Sequence, residues 1–231
     1  MKTALCLLIL GVSARAELRE ARSFSDVAPA VSTGTLLVID IDNTTLEPVG
    51  TLGSDQWYYY LVKVHGEEKA GEMWTRTLPT VKVKPVEPTT PDFIKSQQKR
   101  GVKVMALTAR GIEDADATFA QLKAIGVDYA ANPPSRKDLK TKEKGLFKNG
   151  VFFQGEGPSK GETLVAFLKT IGLKPARVVF VDDKQKHAQS VEKSVRESGI
   201  EVISFRYGAA DAKVNFFNAL TEEFDVTPKG K

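Results

Sequence analysis

The chain of 231 residues carries a single cysteine, Cys6. One thiol closes no disulfide within the chain and cannot assemble a cysteine-ligated zinc site. Charge of one sign is scarce too. Its 33 Lys and Arg stand against 29 Asp and Glu, a net +4, too mild and too dispersed for a nucleic-acid footprint. Internal repeats are absent. The apolar stretch from Ala4 to Val12 is too short to span a bilayer stably. A chain of this length buries an adequate core without covalent staples, and its size suits one domain with an insertion.

The first residues read as an address. Lys2 supplies a positive start, the apolar stretch follows, and Ala14-Arg15-Ala16 fits a small-x-small cleavage site. The expectation is a Sec-type signal peptide over 1–16, cleaved after Ala16, with a periplasmic or secreted product starting at Glu17. Cleavage discards Cys6, which lies inside the apolar stretch and so does not mark a lipid anchor. Loss of Lys2 and Arg15 leaves 31 basic against 29 acidic residues. No stable membrane insertion is expected afterwards. Glu17 to Ser32 reads as a polar leader with a short helix, and 224–231, with Pro, Gly and Lys but no periodicity, as a frayed tail.

The informative segment is Leu36-Leu37-Val38-Ile39-Asp40-Ile41-Asp42-Asn43-Thr44. An apolar run that stops at carboxylates reads as a buried parallel strand, whose end is where an open α/β sheet places ligands. Alternation along the strand would send Asp40 and Asp42 to the same side. Two unpaired carboxylates there repel and desolvate at considerable cost, which calls for a divalent cation. A second run, Val178-Val179-Phe180-Val181, ends in Asp182-Asp183 and brings carboxylates to the same end of the sheet.

Between these runs the pattern alternates. Apolar residues at helical spacing run from Ile112 to Ile125 and stop at Gly126. Asn149-Gly150 between apolar pairs signals a hairpin. Helices are expected over Lys160 to Ile171 and from Asp183 to about Ser198, then a strand at Ile200 to Ile203. Strands separated by such helices form right-handed βαβ units and a parallel sheet. Leu46 to Pro91 breaks the alternation. Ser54 caps a helix through Trp57, Leu61 and Val62, interrupted at Gly66 and Gly71, and Pro79, Pro85, Pro88 and Pro91 mark an extended return.

Four parts of this pattern resemble the haloacid dehalogenase (HAD) superfamily: D-x-D-x-T at Asp40, Asp42 and Thr44, a strand ending in Thr108, Lys160 opening a helix, and Asp182-Asp183. Leu52-Gly53-Ser54-Asp55-Gln56-Trp57, Leu107-Thr108-Ala109-Arg110, Lys148-Asn149-Gly150 and Val181-Asp182-Asp183-Lys184 are similar to a bacterial HAD-like family of unknown function. A weaker likeness is to secreted bacterial acid phosphatases. The resemblance implies a three-layer α/β/α sandwich with a central parallel sheet and a small cap, about 46–91, inserted after the first strand.

It also implies a Mg²⁺-dependent phosphomonoester hydrolase acting through an aspartyl-phosphate. Asp40 would be the nucleophile and Asp42 the general acid and base. Thr108 would bind a phosphoryl oxygen, and Lys160 would neutralise nucleophile and phosphate. The metal would sit among Asp40, Asp42, Asp182 and Asp183, with either of the last two as direct ligand. Backbone N–H groups of Ile41 to Asn43 would cradle the phosphate, with Asn43 and Thr44 beside it.

Ser54, Asp55, Gln56 and Trp57 are the specificity candidates over the mouth, with Ala109 and Arg110 at the strand end. Trp57 with Tyr58 to Tyr60 either stacks a ring or forms lid core. Arg110 either clamps a second anionic group or pairs toward the following helix. Lys160 also reads as a solvated residue beside an N-cap. The position where many relatives carry a further Asp is His187, read as an exposed helical side chain, and His65 as a surface residue. The phosphorylated partner is a small molecule or a macromolecule. Other readings are a secreted interaction or effector protein on the same scaffold, and a phosphotransferase.

Overall fold

The computed structural model describes residues 15–141, 145–155 and 157–217. All of the expected signal peptide up to residue 14, and the tail 224–231, lie outside the described residues. The strands are β1 (Ala16–Ala21), β2 (Thr35–Ile39), β3 (Leu46–Pro48), β4 (Val83–Pro85), β5 (Lys103–Thr108), β6 (Leu139–Lys140), β7 (Leu146–Lys148), β8 (Val151–Phe153), β9 (Arg177–Asp182) and β10 (Glu201–Tyr207). The helices are α1 (Phe24–Val27), α2 (Asp55–His65), α3 (Glu67–Thr77), α4 (Thr90–Lys99), α5 (Ala115–Ala124), α6 (Lys160–Thr170), α7 (Gln185–Glu197) and α8 (Asp211–Val214).

Eight strands form one sheet in the order β1-β10-β9-β2-β5-β8-β7-β6. The first six run parallel, and β7 and β6 are antiparallel additions at one edge. All five residues of β2 are buried, which is why its sequence is continuous and apolar where a one-sided strand would alternate. Leu37 and Ile39 turn to the core shared with Phe24, Ile94 and Leu122 of α1, α4 and α5. Leu36 and Val38 turn to Leu164, Phe167, Val191 and Val195 of α6 and α7. Helices thus cover both faces, the α/β/α sandwich expected. Each large aliphatic side chain so buried contributes about 1.5–3 kcal/mol.

Asn149 (φ 48°) and Gly150 (φ 78°) both adopt positive φ, the two-residue turn that joins β7 to β8. The helix after Thr108 starts at Ala115, preceded by a 3-10 turn over Ile112–Asp114. The last strand runs on past Ile203 to Tyr207.

The leader differs from expectation. Residues read as a polar leader with a short helix begin instead with a strand, β1, paired with β10 in the register Glu17↔Ile203; the expected helix is present as α1, which buries Phe24 and Val27. Glu17, Arg19 and Glu20 leave no apolar run to read, because an edge strand meets the core on few of its positions and is defined by its neighbour. The inserted helices accordingly follow β2, the strand that leads to Asp40.

Within the insertion, β3 pairs antiparallel with β4 and the chain between them folds into α2 and α3. Ser54 caps α2, accepting from the Trp57 N–H at 3.2 Å, and Gly66 (φ 83°) ends it. Gly71 does not interrupt α3. A helical glycine costs only about 1 kcal/mol, less than the burial of Ala70 and Trp74 on either side of it. The return path is shorter than expected, since Pro91 already lies in the first turn of α4, where a missing N–H costs little.

Candidate active site at the carboxyl ends of the parallel strands

β2 lies between β9 and β5, so the chain leaves it with Asp40 beside the ends of both neighbours. The Asp40 N–H donates to the Val181 carbonyl at 2.9 Å. Leu36 and Val38, like Val178 and Phe180, face α6 and α7; Asp40 and Asp182, two residues further on, meet the first residue of α6. Lys160 Nζ donates to Asp40 Oδ1 and to Asp182 Oδ2, each at 2.6 Å. All three are buried. Ser159 and Glu162 form the helix capping box, so the N-cap is real, but Lys160 points inward and is not solvated. Burial would lower its pKa; Asp182 and Asp40 outweigh that and hold it above the ordinary lysine value.

The carboxylates divide by environment. Asp182 is held down to about 2, because Lys160 and then His187 overcome its burial. It also accepts from the Lys184 N–H at 2.8 Å and meets His187 Nδ1 at 3.1 Å. Asp40 is pushed up to about 7 by burial, with Lys160 opposing and Asp182 and Asp42 adding. Asp183 is pushed up to about 8 by burial and then by Asp40, Asp55 and Asp182. Its Oδ2 accepts from Asn43 Nδ2 at 3.3 Å, while its buried Oδ1 has no hydrogen-bond partner. Oxygens of Asp40, Asp182 and Asp183 lie within 4.8 Å of one another. An orphaned carboxylate oxygen among crowded acids is what a hard divalent cation requires. These residues fit such an ion.

Asp40 and Asp42 diverge, against the simple alternation expected, because β2 ends at Ile39. Asp42 lies outside the carboxylate cluster. Its Oδ2 and Oδ1 accept from Arg110 Nε at 2.9 Å and Nη2 at 2.7 Å. Thr108 is buried at the end of β5, and its Oγ1 accepts from the Arg110 N–H at 3.1 Å. Asn43 adopts φ 58°, a left-handed turn that asparagine tolerates. Its N–H donates to the Leu46 carbonyl at 2.9 Å, so it is not free to cradle an anion. Thr44 is fully buried and accepts from the Asp183 N–H at 3.1 Å; it ties the two acidic loops together and does not face the mouth.

Two residues here escaped the sequence reading. Thr45 Oγ1 donates to the Asp40 carbonyl at 2.6 Å and accepts from the Tyr129 hydroxyl at 2.7 Å. The doubled threonine was a weak signal for the first. Nothing local marks Tyr129, which arrives from a distant turn.

The inserted helices present a different face from the one expected. Trp57 is fully buried and packs on Trp74, ring centres 6.3 Å apart. Helical spacing puts Leu61 beside it, so both belong to the insertion's own core. Ser54 is buried as the cap. Asp55 is ion-paired to Lys184, and Tyr59, one turn on and 49% exposed, lies 5.2 Å from the same ammonium. Gln56 is half-buried and Ala109 is exposed. The insertion is anchored through α3: Asp114 accepts from Trp74 Nε1 at 3.2 Å and Thr75 Oγ1 at 3.0 Å. His65 is exposed, whereas His187 is half-buried against Asp182, since the first turn of α7 folds back over the end of β9.

Residues 20–227 match the sequence profile of the family described as "Protein of unknown function (DUF2608)". The chain belongs to that family. A provisionally described outer membrane protein of Chlamydia pneumoniae is 25% identical over 211 residues, 84% of this chain and 77% of that one. Among solved structures, a HAD-like hydrolase of Streptococcus pneumoniae is similar at TM-score 0.48 and 13% identity, covering 86% of this chain and 93% of that one. The class C acid phosphatase of Bacillus anthracis is similar at TM-score 0.40 and 17% identity, covering 89% and 83%. The HAD domain of the Legionella pneumophila effector Lem4 is similar at 0.45 and 12%, covering 84% and 92%. In this DUF2608 chain the carboxylates after β2 and β9 and Thr108 of β5 lie at the carboxyl ends of neighbouring parallel strands, with Lys160 reaching Asp40 and Asp182. Among the described residues no helix is long and apolar enough to cross a membrane.

Proposed function

We propose that this DUF2608 protein is an exported, Mg²⁺-dependent phosphoric monoester hydrolase that works through a phosphorylated Asp40. The observation that carries the reading is the buried Asp40–Lys160–Asp182 arrangement beside an Asp183 oxygen left without a partner. Asp183, Asp40 and, by resemblance, the main-chain carbonyl of Asp42 would hold the cation, which when bound supplies positive charge against the phosphate dianion. Asp182 is already satisfied by Lys160, His187 and the Lys184 N–H, so it serves as support for the site and not as the direct ligand.

Asp40 attacks phosphorus, a bond from its carboxylate oxygen forms, and the bond to the ester oxygen breaks. Asp42 acts as the general acid, delivering a proton to the departing oxygen. The resulting carboxylate then takes a proton from the water that attacks the phosphorylated Asp40, which releases phosphate and restores both acids. Lys160 balances charge on Asp40 throughout. Thr108, whose Oγ1 already accepts from Arg110, keeps its O–H for a phosphoryl oxygen. Asp55 and Tyr59 lie on the lid face toward Lys184 and would meet the rest of the substrate, as would Ala109, exposed just past the end of β5. Export rests on the sequence of residues 1–16.

The test is phosphate release from p-nitrophenyl phosphate and a panel of phosphoesters, with Mg²⁺, with EDTA, and with Asp40→Asn. Release that needs the metal and is lost in the variant supports the proposal. Folded protein that turns over no ester with Mg²⁺ present removes it and favours an interaction protein on this scaffold.

A further inference from the structure

We infer that Arg110 is a positioning residue: it fixes the Asp42 carboxylate for proton transfer and joins it mechanically to the lid. The inference rests on the hydrolase reading above. Arg110 is buried, 5% exposed. Besides the two bonds to Asp42, its Nη1 donates to Thr118 Oγ1 at 2.9 Å and to Gln121 Oε1 at 2.8 Å, both on α5. A guanidinium has five N–H groups, so at most one is left to grip an anionic group of a substrate. The clamp for a second anion considered from the sequence is therefore not what this geometry offers.

A fork-to-fork pair sets both the distance and the plane of the carboxylate, which a lysine cannot do. Each carboxylate oxygen has more than one acceptor direction, so the pair still leaves Asp42 a position from which to pass a proton. The Asp42 side chain, 13% exposed, is the member of this pair that reaches open space, while Arg110, at 3%, is enclosed behind it.

The same guanidinium is wired to the lid. Gln121 Nε2 donates to the Leu78 carbonyl at 3.0 Å, just past the end of α3. The Trp74 ring, also on α3, lies 6.0 Å from the Arg110 carbon Cζ. An unbroken path of direct contacts thus runs from lid backbone to Gln121, to Arg110, to Asp42. A shift of α3 against α5 is felt at the proton-transfer group, although the lid touches neither Asp40 nor Asp42 in this path.

The experiment is a double-mutant cycle with two kinds of ester. Phosphate release is measured for wild type, Arg110→Lys, Asp42→Asn and the double variant, on p-nitrophenyl phosphate and on an alkyl phosphate whose leaving group needs the proton more. Arg110→Lys keeps the buried charge; if it fails to fold by thermal melting, Gln121→Leu, which cuts Arg110 from the lid, takes its place. With Asp42 present, kcat on the alkyl ester is expected to fall about 100-fold, within the range of general acid catalysis, and much less on the nitrophenyl ester, with KM unchanged. In the Asp42→Asn background the same change is expected to cost no more than about twofold. An equal loss with and without Asp42, or a raised KM with kcat intact, overturns the inference while leaving the hydrolase reading in place. A wild type inactive on every ester overturns both.

Discussion

Lys160→Met removes an ammonium from between two buried carboxylates and leaves a side chain of similar length. In the wild type, Nζ sits 2.6 Å from both Asp40 and Asp182, with Lys160 2% exposed and Asp182 fully buried. Taking away one member of a buried ion pair strands the other without water, at about 3–5 kcal/mol. His187 and the Lys184 N–H continue to hold Asp182, so Asp40 bears most of the loss and responds by taking up a proton. The expected destabilisation is therefore about 3 kcal/mol, the lower end of that range. For a chain of this size that is roughly a 6–12 °C fall in Tm. Urea and thermal unfolding near neutral pH, with a chelator present, read it directly. A loss below about 1 kcal/mol would show that these carboxylates are solvated and that the lysine is no deeper than a surface pair.

Mg²⁺ should raise Tm, and Asp183→Asn should weaken its binding by calorimetry, since the orphaned Oδ1 is the feature that fits the ion. Burial first, and then neighbouring charge, raises Asp183 to about 8 and Asp40 to about 7. Stability from their retained protons is full below the ordinary carboxylate range and is lost as pH rises through those values, so added Mg²⁺ should stabilise more near pH 8 than near pH 5. Gly161→Ala, helix-favouring on propensity alone, should cost about 1–3 kcal/mol in a melt, because a Cβ there would lie 2.1 Å from the Ser190 carbonyl where α6 crosses α7. Asp114→Ala should speed amide exchange in α3 before it affects β2 or β9, as it removes two anchors of the lid; uniform faster exchange would count against the lid being a separable unit.

The strand ends were legible because two apolar runs stop at acids, and a sheet covered on both faces leaves no other place for those charges. Lys160 was legible as a helix start, yet nothing local decides between solvent and the interior; the 2.6 Å contacts depend on Asp40 and Asp182 converging from strands far apart in sequence. Tyr129 supporting Thr45, and β1 completing the sheet beside β10, are defined by partners distant in the chain. The inward turn of Trp57 was closer to hand. Trp57 and Leu61 share one helical face and Asp55 and Tyr59 the other, so spacing alone would have separated lid core from rim. Arg110 was visible as a charge near the site, but its acceptor on Asp42 required the fold.

Chemical trapping of Asp40 tests the central claim most directly. Protein turning over an ester with Mg²⁺ is quenched and treated with borohydride, which reduces an acyl phosphate to the alcohol, and peptides are read by mass spectrometry. The account predicts homoserine in place of Asp40, dependent on substrate and absent when borohydride is added without it. Phosphate release with Asp40 unaltered, or with the modification at another carboxylate, would contradict it.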